Sequence, residues 1–244
     1  MVRFFVSGAE LQSDVLTLTD ENAQHAKVLR LRVGDEVCAC DGEGKEALCT
    51  VTEAGGGQYT LTVDSRSDAR TEAKVRVRIY MAFPKADKLE HVIQKATELG
   101  AYEIVAFPTA RCVSRPEEKQ LAKKLERWKK IAQSAAEQSG RGRIPQVRLL
   151  ASYKLALEEA AKDDAAILFY ENEDGRTLSQ ALAAKPGFET VSLMTGPEGG
   201  LEEKEVAQAR EAGLEVCTLG TRILRCETAP LCALSAVMFA AGEF

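Results

Sequence analysis

From Val75 onward, apolar runs short enough for strands alternate with stretches of helical period, and this alternation leaves few folds open. The strand-like runs are Val75-Arg-Val-Arg-Ile-Tyr-Met, Glu103-Ile-Val-Ala-Phe, Val147-Arg-Leu-Leu, Ala165-Ala-Ile-Leu-Phe-Tyr, Val191-Ser-Leu-Met and Glu215-Val-Cys-Thr-Leu. A helix is expected from about Lys85 to Leu99, stopped by Gly100. A longer one is expected near 117–138, with Leu121, Leu125, Trp128, Ile131, Ala132 and Ala135 on one stripe. An apolar helix closes the chain from about Thr228, the residue expected to cap it. Apolar strands separated by helices pair in parallel and are covered on both faces. The expected class is α/β with a mostly parallel sheet, whose ligands bind at the carboxyl ends of the strands.

The first 70 residues follow a different rule. Short β segments at Arg3-Phe-Phe-Val, Val15-Leu-Thr-Leu, Glu36-Val-Cys-Ala-Cys, Ala47-Leu-Cys-Thr-Val and Gln58-Tyr-Thr-Leu-Thr-Val are separated by turn residues, with one helix starting near Asp20 and capped by Thr19 or Asp20. Asp41-Gly-Glu-Gly offers a Gly-x-Gly, but a strand follows it, so it reads as a hairpin turn. This part is expected to form a small β-barrel over 1–70, followed by a polar linker at 64–74 and a second domain over 75–244.

Of 244 residues, 45% are hydrophobic and 28% charged, which fills a core and excludes a disordered chain. The longest apolar run, Ala229 to Ala241, is shorter than the roughly 20 residues of a membrane span, and the amino terminus turns polar at Ser7; a cytoplasmic protein with no membrane partner is expected. Seven cysteines without a Cys-x-x-Cys, and only His25 and His91 as histidines, argue for reduced thiols and no metal. Cys38 and Cys40 read as small buried hydrophobes on one strand face. The net charge of −5 hides an asymmetry: residues 73–148 hold 17 basic and 8 acidic side chains, whereas 1–72 hold 7 and 13 and 149–244 hold 8 and 16. Attraction to phosphate depends on such local excess, because salt screens exposed charges beyond about 8–10 Å.

Two strand-to-helix loops are unusual. Met194-Thr-Gly-Pro-Glu-Gly-Gly-Leu carries glycines that permit close backbone approach. Leu219-Gly-Thr-Arg-Ile-Leu-Arg-Cys-Glu-Thr-Ala opens on Gly220 and sets Arg225 beside Glu227. Two such loops on consecutive strands point to a ligand site, and neither carries a P-loop lysine or a dinucleotide fingerprint.

These residues also carry a resemblance. His25-x-x-Val-Leu-Arg-x-x-x-Gly-Asp, Lys95-x-x-Glu-Leu-Gly, Glu137-Gln-Ser-x-Arg, Gly196-Pro-Glu-Gly-Gly and Leu219-Gly-x-x-Ile-Leu-Arg-x-Glu-Thr-Ala, in this order over nearly the whole chain, resemble the 16S ribosomal RNA uridine-N3 methyltransferases of the RsmE family. Cys226 departs from the pattern, standing where threonine is more common, and reads as a small side chain. The resemblance implies a trefoil-knotted methyltransferase domain of the SPOUT class after a PUA-like RNA-binding barrel. It also implies S-adenosyl-L-methionine as methyl donor, a homodimer, and 16S ribosomal RNA within the small ribosomal subunit as partner. It maps the donor pocket to Leu168, Tyr170, Gly196, Glu198, Gly200, Leu219, Gly220, Ile223 and Leu224.

Uridine N3 is a poor nucleophile while protonated, so such a site must hold off a proton and stabilise charge on the ring oxygens. Arg225 is the expected electrostatic group, and Glu198 the residue that orients the substrate or takes its proton. For RNA phosphates the expected cations are Arg3, Lys27 and Arg30 on the barrel and Arg111, Arg141 and Arg143 in the basic middle segment. Two rival readings remain: another SPOUT enzyme acting on a transfer RNA ribose 2′-hydroxyl, and a non-catalytic RNA-binding protein.

Overall fold

The computed structural model describes residues 1–113 and 118–244, side chains from 119 in the second stretch, and divides into two units. The first unit holds Met1–Glu72 together with Ser134–Ile144. Its elements are β1 (Val2–Phe5), α1 (Gly8–Leu11), β2 (Val15–Leu18), α2 (Asp20–Val28), β3 (Glu36–Cys40), β4 (Lys45–Gly55) and β5 (Gln58–Asp68). They form a five-stranded mixed sheet in the order β1-β3-β4-β5-β2, with β1 and β3 parallel and the other pairs antiparallel. Register shifts at Leu48/Cys49 and Val51/Glu53 bend β4, as an extra residue in one strand does. Alternation then buries Val37, Ala39, Ala47, Cys49 and Val51 against Phe4, Leu16, Leu18 and Leu61.

The Asp41-Gly-Glu-Gly turn is the hairpin between β3 and β4. Three details differ from expectation. β5 runs through Asp68, because Lys45 to Leu48 supply pairing partners for residues 65–68, and so much of the expected linker is strand. A short helix, α1, is held by a Ser7–Glu10 capping box. Residues 134–144, expected in the second domain, pack in the first unit. There the Glu72 carboxylate accepts from Arg141 Nη2 at 2.6 Å and from the amides of Gly142 and Arg143 at 3.0 and 3.1 Å.

The second unit, Ala73–Gln133 and Pro145–Phe244, is α/β. Along the chain run β6 (Arg76–Ala82), α3 (Lys88–Glu98), β7 (Glu103–Phe107), α4 (Glu118–Ser139), β8 (Gln146–Leu149), α5 (Tyr153–Ala160) and β9 (Ala165–Phe169). They are followed by α6 (Leu178–Ala183), β10 (Thr190–Thr195), α7 (Glu203–Glu211), β11 (Glu215–Cys217) and α8 (Thr228–Ala240). All six strands are parallel, in the order β11-β9-β10-β6-β7-β8. The chain builds outward from β6 to β8, crosses to β9, and then inserts β10 between β9 and β6. The loops after β9, β10 and β11 therefore emerge side by side at one end of the sheet. Gly100, at φ +94°, ends the turn after α3 as expected. The first residue before α8 is Glu227, so Thr228 lies inside the helix and does not cap it. Among the described residues no helix is long and apolar enough to cross a membrane.

Candidate active site at the strand ends

The three adjacent loops enclose a cleft of about 490 Å³, with Lys88 from α3 and Ala229 from α8 completing its wall. The loop after β9 contributes Tyr170 and Glu171, the end of β10 contributes Thr195 and the loop after it Gly196 to Glu198 and Gly200, and the loop after β11 contributes Thr218 to Cys226. The Gly-rich loop is shaped by main-chain demands. The Gly200 amide donates to Pro197 O at 2.9 Å. Gly200 itself sits at φ +67°, where an added Cβ would lie 2.1 Å from Glu171 Oε1. A Cβ at Gly199 would press on Arg111 Cβ at 3.2 Å, and Arg111 Nη1 donates to Gly199 O at 3.1 Å. Buried Glu205 anchors the far side of the loop, accepting from the Ala110 amide at 2.9 Å and from the Glu202 amide at 2.9 Å.

Lys88 joins the two loops recognised in the sequence. Its Nζ lies 3.0 Å from Glu198 Oε1 and 3.0 Å from Glu227 Oε2, and 3.7 Å from Cys226 Sγ. The three charged side chains are between one-fifth and just over one-quarter exposed (26%, 25% and 21%), so solvent screens them only partly. Burial pushes the Glu198 carboxyl upward, but hydrogen bonds from the amides of Lys85 and of Glu198 itself, and from Lys88, outweigh it and hold the group below the usual range. Burial likewise opposes, and hydrogen bonds from its own amide, Lys88 and Cys226 overcome it, at Glu227. Lys88 is raised by its bonds to Glu227 and Glu198. Burial pushes the Cys226 thiol up to about 12, aided by its bond to Glu227, so it stays a neutral thiol at neutral pH. Nothing in the sequence separates Lys88 from other helix-surface lysines.

Tyr170, Gly196, Glu198, Gly200, Leu219, Gly220, Ile223 and Leu224 all line the cleft. Leu168 does not: it is fully buried in the core among Tyr80, Met194 and Val216, since its place on β9 turns it away from the loops. Arg225 lies on the lining with an exposed side chain whose guanidinium has no partner among the described residues. Its carbonyl accepts from the amides of Thr228 and Ala229, which fixes the loop onto α8.

The cations expected to meet phosphate divide sharply. Lys27 and Arg30 are exposed in the first unit, and Arg111 is exposed in the second. Arg141 is not available: at 3% exposure it is paired with Glu72. Arg3 is similarly committed, with Nη1 2.6 Å from Glu46 Oε2 and 3.4 and 3.2 Å from the Cys38 and Cys40 sulfurs. Arg143 donates to the Glu43 carbonyl. Cys38 and Cys40 are buried as expected, yet with Glu46 they form a polar cluster whose sulfur and carboxylate oxygen atoms lie within 4.8 Å of one another, with Arg3 in contact with all three.

A parallel α/β sheet with a loop-built cleft at its strand ends, in a chain that also folds a small mixed β unit, defines a ligand-binding enzyme of the α/β class. The chain belongs to the RNA methyltransferase family: the model of the RNA methyltransferase domain matches residues 71–238, and that of the RNA methyltransferase PUA domain matches residues 18–64. It is 36% identical over 247 residues to the ribosomal RNA small subunit methyltransferase E of Bacillus subtilis, covering 98% of this chain and 96% of that protein. It is 34% identical to the enzyme of the same name from Mycobacterium bovis, covering 89% and 83%. A crystal structure of the Neisseria gonorrhoeae ribosomal RNA small subunit methyltransferase E bound to S-adenosyl methionine matches with a TM-score of 0.86 at 30% identity, over 98% of each chain.

Proposed function

We propose that this chain transfers the methyl group of S-adenosyl-L-methionine to N3 of a uridine in the 16S RNA of the small ribosomal subunit. The observation that carries the reading is the convergence of the loops after β9, β10 and β11 on one cleft in a chain of the RNA methyltransferase family. Its volume of about 490 Å³ lies within the range of small-molecule sites. The lining also suits the donor. Leu219, Ile223 and Leu224 offer apolar contact for a purine. Gly196 and Gly200 leave main chain accessible where a Cβ would lie 3.0 Å from Leu201 Cγ or 2.1 Å from Glu171 Oε1. Tyr170, Gly196, Gly200, Leu219, Gly220, Ile223 and Leu224 would hold the donor; Leu168 supports them from the core. Bound there, the donor supplies a methyl group activated by its positively charged sulfur.

The remaining chemistry falls to the chain. Forming the N3–methyl bond requires loss of the N3 proton, and the charge left on the ring spreads to its oxygens. Arg225, exposed at the cleft and unpaired among the described residues, would stabilise that charge. Glu198, held ionised below the usual carboxylate range and bonded to Lys85 N and Lys88, is a weak base; we assign it the orienting role rather than proton removal. Lys27, Arg30 and Arg111 are the assigned phosphate contacts. We further read the insertion of β10 between β9 and β6 as part of the trefoil knot of the SPOUT class. A second copy of this chain would cover Ile223 and Phe239, exposed at 86% and 73%. Free cysteines and the ribosomal substrate fit a cytoplasmic setting.

The test is calorimetric binding of S-adenosyl-L-methionine to the full chain, followed by transfer of labelled methyl to small subunits and to naked RNA from a strain lacking the gene. Binding with transfer to either substrate supports the reading. Binding without transfer leaves a cofactor-dependent protein of another substrate, and RNA binding without donor affinity leaves a non-catalytic one.

A further inference from the structure

Among the described residues, Thr195 Oγ1 is the buried side-chain polar atom that has no hydrogen-bond partner. Thr195 is the last residue of β10, in register with Met81 on β6 and Phe169 on β9, and is 2% exposed. The other buried serine and threonine hydroxyls among the described residues have partners. Ser192 Oγ, three residues earlier on the same strand, donates to Asp163 Oδ2 at 2.5 Å; Thr97 Oγ1 donates to Ile93 O at 2.7 Å; Thr109 Oγ1 meets Cys112 Sγ at 3.2 Å. An unpaired buried hydroxyl is costly, and valine would fill the same volume with a better strand preference and no such cost. Thr195 differs from the satisfied hydroxyls in one respect: it lines the cleft, immediately before the Gly196–Gly200 loop.

We infer that the Thr195 hydroxyl is a binding group for the methyl donor, completing its hydrogen bond only when S-adenosyl-L-methionine occupies the cleft. The inference rests on the donor assignment above and adds a side chain that neither the motifs nor the loop glycines mark. The hydroxyl can donate or accept, so it adapts to either kind of polar atom on the ligand. It also makes the ligand-free protein slightly less stable than the shape of the site requires, a strain relieved on binding.

The experiment compares wild type, Thr195→Val and Thr195→Ser by calorimetry with S-adenosyl-L-methionine and by thermal melting without it. Thr195→Val is expected to weaken donor binding about threefold to tenfold, the worth of one hydrogen bond. Its ligand-free Tm should be unchanged or higher, because the orphaned hydroxyl is gone. Thr195→Ser, which keeps the hydroxyl, should bind within about twofold of wild type. Unaltered affinity in Thr195→Val overturns the inference while leaving the donor assignment intact. A lowered ligand-free Tm in Thr195→Val also overturns it, since the hydroxyl would then have a partner within the protein. Absence of donor binding in wild type overturns both.

Discussion

Lys88 holds one positive charge between two carboxylates that belong to different loops, and its removal would leave Glu198 and Glu227 facing each other without a cation. We expect Lys88→Met to weaken donor binding by about tenfold, with Lys88→Arg recovering part of it, as calorimetry will measure. Both carboxyls titrate below their ordinary value of 4.5, so the clamp's contribution is present above that pH and is lost as the pH falls through the depressed values. Donor affinity should accordingly be flat from pH 8 to 5 and fall only below about 4.5. The Arg225 side chain bonds to nothing among the described residues, which fits the role in the reaction proposed for it rather than one in the scaffold. Arg225→Ala should therefore lower turnover by about a hundredfold under saturating donor while the Tm stays unchanged; near-normal turnover would remove it from the mechanism. Glu198→Gln keeps the shape but not the charge and should cost turnover less than Arg225→Ala if orientation is its role.

At the scale of elements, the Gly-rich loop works because Gly200 adopts a left-handed backbone against Glu171. Gly200→Ala adds a methyl group 2.1 Å from Glu171 Oε1 in a conformation that L-residues avoid, so donor binding should be lost in calorimetry while the far-UV circular dichroism is preserved. This loop, its neighbour after β11 and the six strands were legible in the sequence because each depends on local signals: apolar runs, glycines and the residues that bracket them. What escaped depends on partners distant in sequence. Lys88 resembles any first-turn lysine until the fold brings Glu198 and Glu227 to it from more than a hundred residues away. Arg141 reads as a solvated cation until Glu72 buries it. The end of β5 is polar enough to look like linker, yet Lys45 to Leu48 pair with it as a strand. The family resemblance maps Leu168 to the pocket, but the pleat turns it into the core. The four-residue α1 differs: its Ser7–Glu10 capping box is a local signal, but so short a helix carries no apolar period to mark it.

For the molecule as a whole, the basic excess over residues 73–148 is smaller as a binding surface than its charge suggests, because part of it is spent on internal ion pairs. Arg78 and Arg148 pair with Glu103, Arg127 with Glu90, and Arg141 with Glu72. Two kinds of arginine are separable by experiment. Arg30→Ala, at an exposed position, should weaken RNA binding and lower the slope of log affinity against log salt by about 1, with no change in Tm. Arg141→Ala strips Glu72 of its buried partner and should lower the Tm instead, by roughly the several degrees that 2–4 kcal/mol implies, with the salt slope unchanged. The most direct measurement of the central claim is reverse-transcription mapping of 16S RNA after incubation of small subunits, from a strain lacking the gene, with the protein and S-adenosyl-L-methionine. Methylation at N3 blocks Watson–Crick pairing, so a single new stop next to a uridine is expected at all nucleotide concentrations, forming far more slowly with Arg225→Ala. A stop that appears only at low nucleotide concentration would mark ribose methylation and contradict the claim, as would no new stop at all.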